Sequence, residues 1–208
     1  MLDKDQIAAA SRILAQHWRD GIKLDAIETR LRPQTRAEGY AVQAALETHS
    51  AGKLFGWKIA ATSEAGQKHI NVAGPMAGRI FSDTVIADGG TASMKGNAMR
   101  VGEPEFCFRM GRDLAPRPAL YSVDEVLAAV DTLHPAIEIP DSRFADFASA
   151  GEAQLIADCA CAHQFVLEPA QTVSAPVIAQ SGPVGSASNV KLQGSLHTPL
   201  KPSNTRTV

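Results

Sequence analysis

Two short segments carry carboxylates whose types and spacing could do chemistry. Residues 100–108 read RVGEPEFCF and residues 136–143 read AIEIPDSR. Successive side chains of a β-strand point to opposite faces, so Glu103 and Glu105 are predicted to share one face, with Cα atoms about 7 Å apart. Glu138 lies in an apolar run, where an ionised carboxylate is costly to bury without a cation or strong donors. With no plausible Cys or His ligand beside them, the three carboxylates favour Mg²⁺ or Mn²⁺ over zinc.

The residues alone leave a second interpretation open for this pattern. A Glu-x-Glu pair on a strand is commonly a solvated face. Pro104 also places the segment at a sheet edge or bulge, where charged residues limit unwanted strand pairing. Spacing by itself therefore predicts either a metal site or a charged edge.

Four segments, taken in order, favour the metal site over the charged edge. They read GWKIAATS at 56–63, GPMAGR at 74–79, RVGEPEF at 100–106 and EIPDSR at 138–143. Their order and spacing resemble the 2-keto-4-pentenoate hydratase and 4-oxalocrotonate decarboxylase group of the fumarylacetoacetate hydrolase superfamily. The likeness covers about residues 5–168, and four motifs in register are more specific than any one of them.

The resemblance implies an α+β fold, namely the superfamily's mixed β-roll with an N-terminal helical arm. It also implies a lyase that adds water to 2-hydroxypenta-2,4-dienoate or a related dienol, giving a 4-hydroxy-2-oxo acid in the catabolism of aromatic compounds. A 4-oxalocrotonate-type decarboxylase on the same site is one alternative, because both reactions use the same ligands. A truncated, non-catalytic remnant is the other.

The same resemblance assigns roles to individual residues. Glu103, Glu105 and Glu138 are expected to hold Mg²⁺ or Mn²⁺. Lys58 lies in an apolar strand and is expected to be catalytic, although the residues alone favour a surface lysine whose stem covers apolar area.

Three further side chains complete the expected site. Asp141 is expected to be catalytic, and Ser63 and Arg143 to bind substrate. For Asp141 and Arg143 a capped turn with a surface ion pair is an equally good interpretation. One position departs from the pattern: where better-known hydratases have an Asp after the proline, this chain has Met76, which puts the water-addition chemistry in doubt more than the metal site.

Composition excludes several other classes. The chain has 208 residues and a formal charge of −2, with charges of mixed sign and no basic run, so nothing favours nucleic acid. No apolar stretch approaches the roughly 18 residues of a membrane span, and the N-terminus lacks a signal-peptide core. We therefore expect a cytoplasmic protein, and the resemblance implies that it acts on a small molecule, as a homo-oligomer or in association with pathway enzymes.

Local signals predict the elements that position the site. Asp3 with Gln6, and Thr35 with Glu38, are capping boxes that open two amphipathic helices. Residues 54–60 are predicted to form a strand, and 63–70 a short helical turn. A third capping box at Ser122 is predicted to open a helix whose apolar face runs through Val126, Leu127, Val130 and Leu133 until Pro135.

These elements suggest three parts. Residues 1–52 are predicted to form a helical arm, 53–168 an incomplete metal-binding catalytic body, and 169–208 a poorly ordered tail. Residues 171–208 contain no aromatic side chain and many small polar ones, which cannot bury much surface. The resembled enzymes continue for roughly fifty or sixty more residues, so a truncated or frameshifted member is the hypothesis, testable by sequencing downstream of the gene.

Overall fold

The computed structural model describes residues 1–170 and the backbone of two short strands at 191–193 and 201–202. Five α-helices occur in this part of the chain. They are α1 (Lys4–Asp20), α2 (Arg36–Ala45), α3 (Glu64–His69), α4 (Val123–Leu127) and α5 (Glu152–Ala157). Three short 3₁₀ turns lie at Leu46–Thr48, Ser82–Thr84 and Cys159–Cys161.

The helix starts follow the predicted capping chemistry. The Asp3 carboxylate accepts a hydrogen bond from the Gln6 amide at 2.8 Å, and the Gln6 side chain accepts from the Asp3 amide at 2.9 Å. Gly21 ends α1 in the left-handed region at φ 64°, a conformation that glycine adopts without steric cost. The Thr35 hydroxyl accepts from the Glu38 amide and begins α2. Both predicted helices are confirmed.

Nine strands make three separate sheets among the described residues. They are β1 (Leu54–Ala60), β2 (Met76–Phe81), β3 (Val85–Ala87), β4 (Thr91–Ser93), β5 (Val101–Met110), β6 (Val130–Ile139), β7 (Gln164–Leu167), β8 (Lys191–Gln193) and β9 (Lys201–Pro202). The central sheet has the order β3-β7-β6-β5-β9, while β1 pairs with β2 and β4 pairs with β8. The predicted strand at 54–60 is confirmed as β1.

The central antiparallel pair β5–β6 determines where the carboxylates lie. Its register places Glu103 directly opposite Glu138, and Glu105 opposite Ala136. Residues opposite each other in a ladder project their side chains to the same face of the sheet. Glu103, Glu105 and Glu138 therefore lie on one face, as the strand period predicted for the first two.

The helix predicted from Ser122 to Pro135 is wrong over most of its length. The capping box forms and opens α4, but α4 ends at Leu127, and Val130 is already the first residue of β6. Residues 130–138 pair with β5 on one side, and residues 136–139 pair with β7 on the other. This pairing outweighs the helical spacing of the apolar residues, because strand preference depends on the neighbours that a segment packs against.

A hydrophobic core joins the helical N-terminus to the sheet. Its buried residues include Leu14 and Val42 from the first two helices together with Ala136 and Phe165 from the sheet. The proposed division at residue 52 stays a prediction. The tail predicted for 169–208 lies, apart from residues 169–170 and the backbone of β8 and β9, outside the described residues. In the part of the chain with described structure, no helix combines the length and apolar character needed to cross a bilayer.

Candidate metal centre

Three carboxylates converge at one end of the β5–β6 pair. Glu103, Glu105 and Glu138 each offer one oxygen, and these oxygens lie within 4.8 Å of one another. Glu138 is only 3% exposed, while Glu103 and Glu105 are half-buried. Two oxygens bound to one octahedral Mg²⁺ at about 2.1 Å are at most about 4.2 Å apart, so small side-chain rotations would bring the three carboxylates onto one cation and leave other positions for water or a ligand.

Lys58 reaches this cluster from β1. The strand alternates, so that Phe55, Trp57 and Ile59 are exposed on its outer face while Lys58 points inward. Its ammonium nitrogen Nζ lies 3.0 Å from Glu138 Oε1, and the two side chains are 10% and 3% exposed. Burial by itself would lower the pKa of Lys58, but the negative charges of Glu138 and Glu103 outweigh it, so the pKa lies above its ordinary value. Lys58 is therefore a fixed positive charge beside the carboxylates.

Glu105 shows the electrostatic cost of the cluster. Burial, with the nearby charges of Glu138 and Glu103, raises the pKa of Glu105 from 4.5 to about 7, although Lys58 opposes the change. The metal-free chain thus retains a proton among three carboxylates near neutral pH. A divalent cation would replace that proton and balance the remaining charge.

The buried oxygen of Glu138 is a second reason why the three carboxylates suit a hard cation. Glu138 Oε1 is buried, and its polar contact among the described residues is the Lys58 ammonium at 3.0 Å, with no backbone or neutral donor beside it. A buried carboxylate oxygen without such a partner is costly. Metal coordination would satisfy it.

The carboxylates form one wall of a cavity of about 340 Å³. Much of the remaining wall is apolar, and includes Ile70, Met76, Met99, Phe147 and Leu155. Ser63 lines the cavity and also caps α3, since its hydroxyl accepts a hydrogen bond from the Gly66 amide at 3.1 Å. The cavity thus combines one charged wall with an apolar surface, so a cation held by the carboxylates would face space lined by apolar side chains.

The structure does not bring Asp141 and Arg143 to this cavity. The Asp141 carboxylate is 3% exposed, pairs with Lys23 and accepts a hydrogen bond from the Ala98 amide at 2.9 Å. Arg143 is 6% exposed and pairs with Asp158 at 2.7 Å. Both side chains are engaged by these partners, and the predicted catalytic role of Asp141 and substrate-binding role of Arg143 stay predictions.

Sequence reasoning missed two side chains that line the cavity. His69, the last residue of α3, packs the edge of its ring against Phe147, with ring centroids 6.5 Å apart. His69 and Phe147 are 78 positions apart in the sequence. A helix too short to show amphipathic spacing gave no signal for His69, and only the folded chain brings Phe147 beside it.

Comparison with known proteins bears on this geometry. No protein-family model matches the chain. A 4-oxalocrotonate decarboxylase from a Pseudomonas species is 33% identical over 115 residues, which are 55% of this chain and 43% of that protein. The 2-keto-4-pentenoate hydratase 1 of Dechloromonas aromatica is 29% identical over 163 residues, covering 76% and 60%. The 2-keto-4-pentenoate hydratase of Paraburkholderia xenovorans is 36% identical over 95 residues, covering 46% and 35%.

Solved structures show the same fold. The 4-oxalocrotonate decarboxylase from Pseudomonas putida G7, complexed with magnesium and adipate, matches with a TM-score of 0.72 at 22% identity over 80% of this chain and 64% of that chain. The calcium and acetate complex of that enzyme matches with a TM-score of 0.70. The α+β architecture is therefore that of 4-oxalocrotonate decarboxylase, and the resemblance to these hydratases and decarboxylases is confirmed. The chain spans about half the length of the curated relatives that it matches.

Proposed function

We propose that this chain is a divalent-metal-dependent lyase that adds water to 2-hydroxypenta-2,4-dienoate or a related dienol, giving a 4-hydroxy-2-oxo acid. The observation that carries the proposal is the convergence of three carboxylates and Lys58 on one cavity with an apolar wall. Relatives named as 2-keto-4-pentenoate hydratases support the substrate class. Within the α+β class, we propose that the fold is the mixed β-roll of the fumarylacetoacetate hydrolase superfamily.

Glu103, Glu105 and Glu138 would hold Mg²⁺ or Mn²⁺ in this enzyme. The bound ion supplies Lewis-acid stabilisation of negative charge on the 2-oxygen of the substrate and orients its carboxylate. A magnesium-containing decarboxylase with the same fold supports a divalent ion, although Mn²⁺ is equally compatible with an all-oxygen ligand set.

Lys58 has two tasks in the proposed reaction. As a buried ammonium group it balances the carboxylate charge, and as a donor it can relay a proton toward the substrate carbon farthest from the carboxylate. Protonation of the dienol at that carbon gives an α,β-unsaturated 2-oxo acid, to which water adds. The apolar wall formed by Ile70, Met76 and Phe147 holds the hydrocarbon part, and Ser63 lines the cavity beside it as the proposed polar contact.

His69 is the side chain that we assign to proton exchange with the added water. Met76 occupies the position where an acid was expected and cannot perform this task, whereas an imidazole can both donate and accept a proton near neutral pH. His69→Ala is expected to lower kcat by 10²-fold or more, in the range typical of a general acid or base. The matched control is His49→Ala, a histidine that does not line the cavity, and this variant should retain wild-type kcat.

Decarboxylation of 4-oxalocrotonate is the second candidate function. Met76 favours it, because release of CO₂ requires no activated water and an apolar residue there does not impair the step. The relative named 4-oxalocrotonate decarboxylase supports it as well. Nuclear magnetic resonance of the products distinguishes the two, since the hydratase gives a 4-hydroxy-2-oxo acid and the decarboxylase gives a dienol and CO₂.

The test of the function is turnover by the purified chain. With Mg²⁺ present, loss of dienol absorbance is expected for wild type and for Glu28→Ala, whose carboxylate lies outside the cluster, and is expected to be abolished in Glu103→Ala. Equal activity of the Glu103→Ala variant would refute the proposed site. No turnover of either substrate by a folded wild-type protein would leave the remnant interpretation. The cytoplasmic location and the homo-oligomer or pathway-enzyme association stay predictions.

A further inference from the structure

The two carboxylates that face each other lie at the end of their strand ladder. Glu103 opposite Glu138 is the terminal pair of β5 and β6, and the preceding residues of β5, Val101 and Gly102, pair with β9 instead. The β5–β6 ladder ends at this pair, and the last pair of a ladder frays most readily. Strand β7 restrains the end of β6 through Glu138 and Ile139, so the distance between the ends of β5 and β6 depends on further contacts between them.

Asn97 supplies one such contact. Its side chain is buried, and residue 97 as a whole is 2% exposed. Nδ2 donates a hydrogen bond to the Pro140 carbonyl at 3.0 Å, two residues beyond Glu138. Oδ1 accepts from the Arg100 amide at 2.7 Å, three residues before Glu103. One amide side chain thus connects the end of β6 to the start of β5.

Asp141 supplies a matching contact from the other strand. Its Oδ1 accepts from the Ala98 amide at 2.9 Å, and its Oδ2 pairs with Lys23. Asn97 therefore reaches from the turn before β5 to β6, while Asp141 reaches from the end of β6 back to that turn. We call these two side chains the strand-end clamp.

The turn held by the clamp is conformationally demanding. Arg100 has φ 49°, in the left-handed region that a non-glycine residue adopts at a cost of about 1 kcal/mol or more. Its amide is the group that donates to Asn97 Oδ1. The side chain of Asn97 therefore stabilises the backbone conformation that delivers Glu103 to the cluster.

We propose that Asn97 is a positioning residue that sets the separation of Glu103 and Glu138, and with it the affinity of the site for a divalent cation. The inference rests on the proposed metal centre and adds a residue to it. A role in stability alone would alter unfolding without altering metal affinity. Partner groups that orient metal ligands typically change affinity by about 10- to 100-fold when they are removed, which makes the two roles separable.

The experiment measures Mn²⁺ binding and unfolding in the same variants. Asn97→Ala removes both hydrogen bonds, whereas the nearly isosteric Asn97→Asp keeps the acceptor for Arg100 and places an oxygen against the Pro140 carbonyl. Gln43→Ala is the control, because Gln43 is also fully buried and donates to the Ala77 and Ile156 carbonyls, away from the carboxylates. Free Mn²⁺ is followed by electron paramagnetic resonance, and melting temperature is measured in EDTA.

All three variants are expected to melt below wild type in EDTA. Only the Asn97 variants are expected to bind Mn²⁺ at least tenfold more weakly. If either Asn97 variant is folded and binds Mn²⁺ within twofold of wild type, the inference is overturned while the metal centre stands. If wild-type protein binds no Mn²⁺, the metal centre and this inference are both overturned.

Discussion

Glu105→Gln is expected to make the metal-free protein more stable and at the same time to weaken its response to metal. The pKa of Glu105 is raised from 4.5 to about 7, first by burial and then by the neighbouring carboxylates. Below pH 4.5 the group is protonated in both the folded and the unfolded chain. As the pH rises toward 7 the unfolded chain loses this proton first, so stability falls through that window and stays reduced above it.

The size of the effect follows from the shift. At about 1.4 kcal/mol per pKa unit, ionisation of Glu105 costs up to about 3 kcal/mol of folding free energy at pH 8. Glutamine has nearly the same shape and carries no charge, so the variant avoids this cost. For a chain of this length the gain corresponds to a rise of roughly 6 to 12 °C in melting temperature.

Mn²⁺ should raise the melting temperature of wild type more than that of the Glu105→Gln variant. Mn²⁺ at 100 times its dissociation constant adds about 2.7 kcal/mol to wild type, or roughly 5 to 10 °C. Glu105→Gln retains only two of the three anionic ligands, so the same Mn²⁺ concentration should raise its melting temperature by much less.

Thermal melts at pH 5 and pH 8, in EDTA and in Mn²⁺, test this prediction. Glu28→Gln is the control, because the same chemical change is made on an exposed side chain that is paired only with Arg30. Its melting temperature should follow wild type under all four conditions. A Glu105→Gln protein that melts at or below wild type in EDTA at pH 8 would show that the carboxylates are not crowded as the structure has them.

Three further predictions concern Lys58, Gly78 and His163. Lys58→Met leaves Glu138 buried without its cation and should cost the metal-free protein about 3 to 5 kcal/mol in urea unfolding at pH 8. Gly78→Ala places a methyl carbon 1.9 Å from a backbone carbonyl oxygen and should cost about 1 to 3 kcal/mol or more, whereas Gly56→Ala on the paired strand meets nothing within 4 Å. Burial, followed by nearby positive charge, lowers the pKa of His163 to about 3, so wild type should lose about 1.4 kcal/mol per pH unit relative to His163→Leu as the pH falls from 6 to 4.

Each of these three predictions has an outcome that would contradict it. Lys53→Met, which removes an exposed lysine beside β1, is the control for the buried ion pair, and equal losses in the two lysine variants would contradict the pair's importance. Equal stability of the two glycine variants would contradict the close approach at residue 78. A pH-independent difference between wild type and His163→Leu would mean that this histidine is not held neutral in the folded chain.

Much of the local structure followed from the sequence because its causes are local. The capping box at Asp3 and the side-chain cap at Thr35 act within four residues, and both helices begin where they indicate. The period of two along β5 correctly placed Glu103 and Glu105 on one face. The capping box at Ser122 was also correct, yet only for five residues of helix.

The structural features that the sequence did not predict depend on distant parts of the chain. Val130 and Leu133 fit the apolar spacing of a helix, but they lie in a strand because β5 is available to pair with them. Arg143 is predicted from the sequence to bind substrate, and this role stays a prediction; in the structure its guanidinium lies 3.7 Å from the Trp18 ring centroid and pairs with Asp158. No local pattern encodes such partners. The opposition of Glu103 and Glu138 likewise required the register of two strands separated by a helix.

The ion pair between Lys23 and Asp141 has a consequence for the order in which the protein is built. The two residues are 118 positions apart, and at a synthesis rate of about 5 to 20 residues per second Lys23 waits roughly 6 to 24 s before its partner is made. During that interval α1 and α2 can form, since their contacts are local. The turn before β5 also exists before Asp141 does. The three carboxylates can therefore come together only after Glu138 has been made, 35 positions after Glu103.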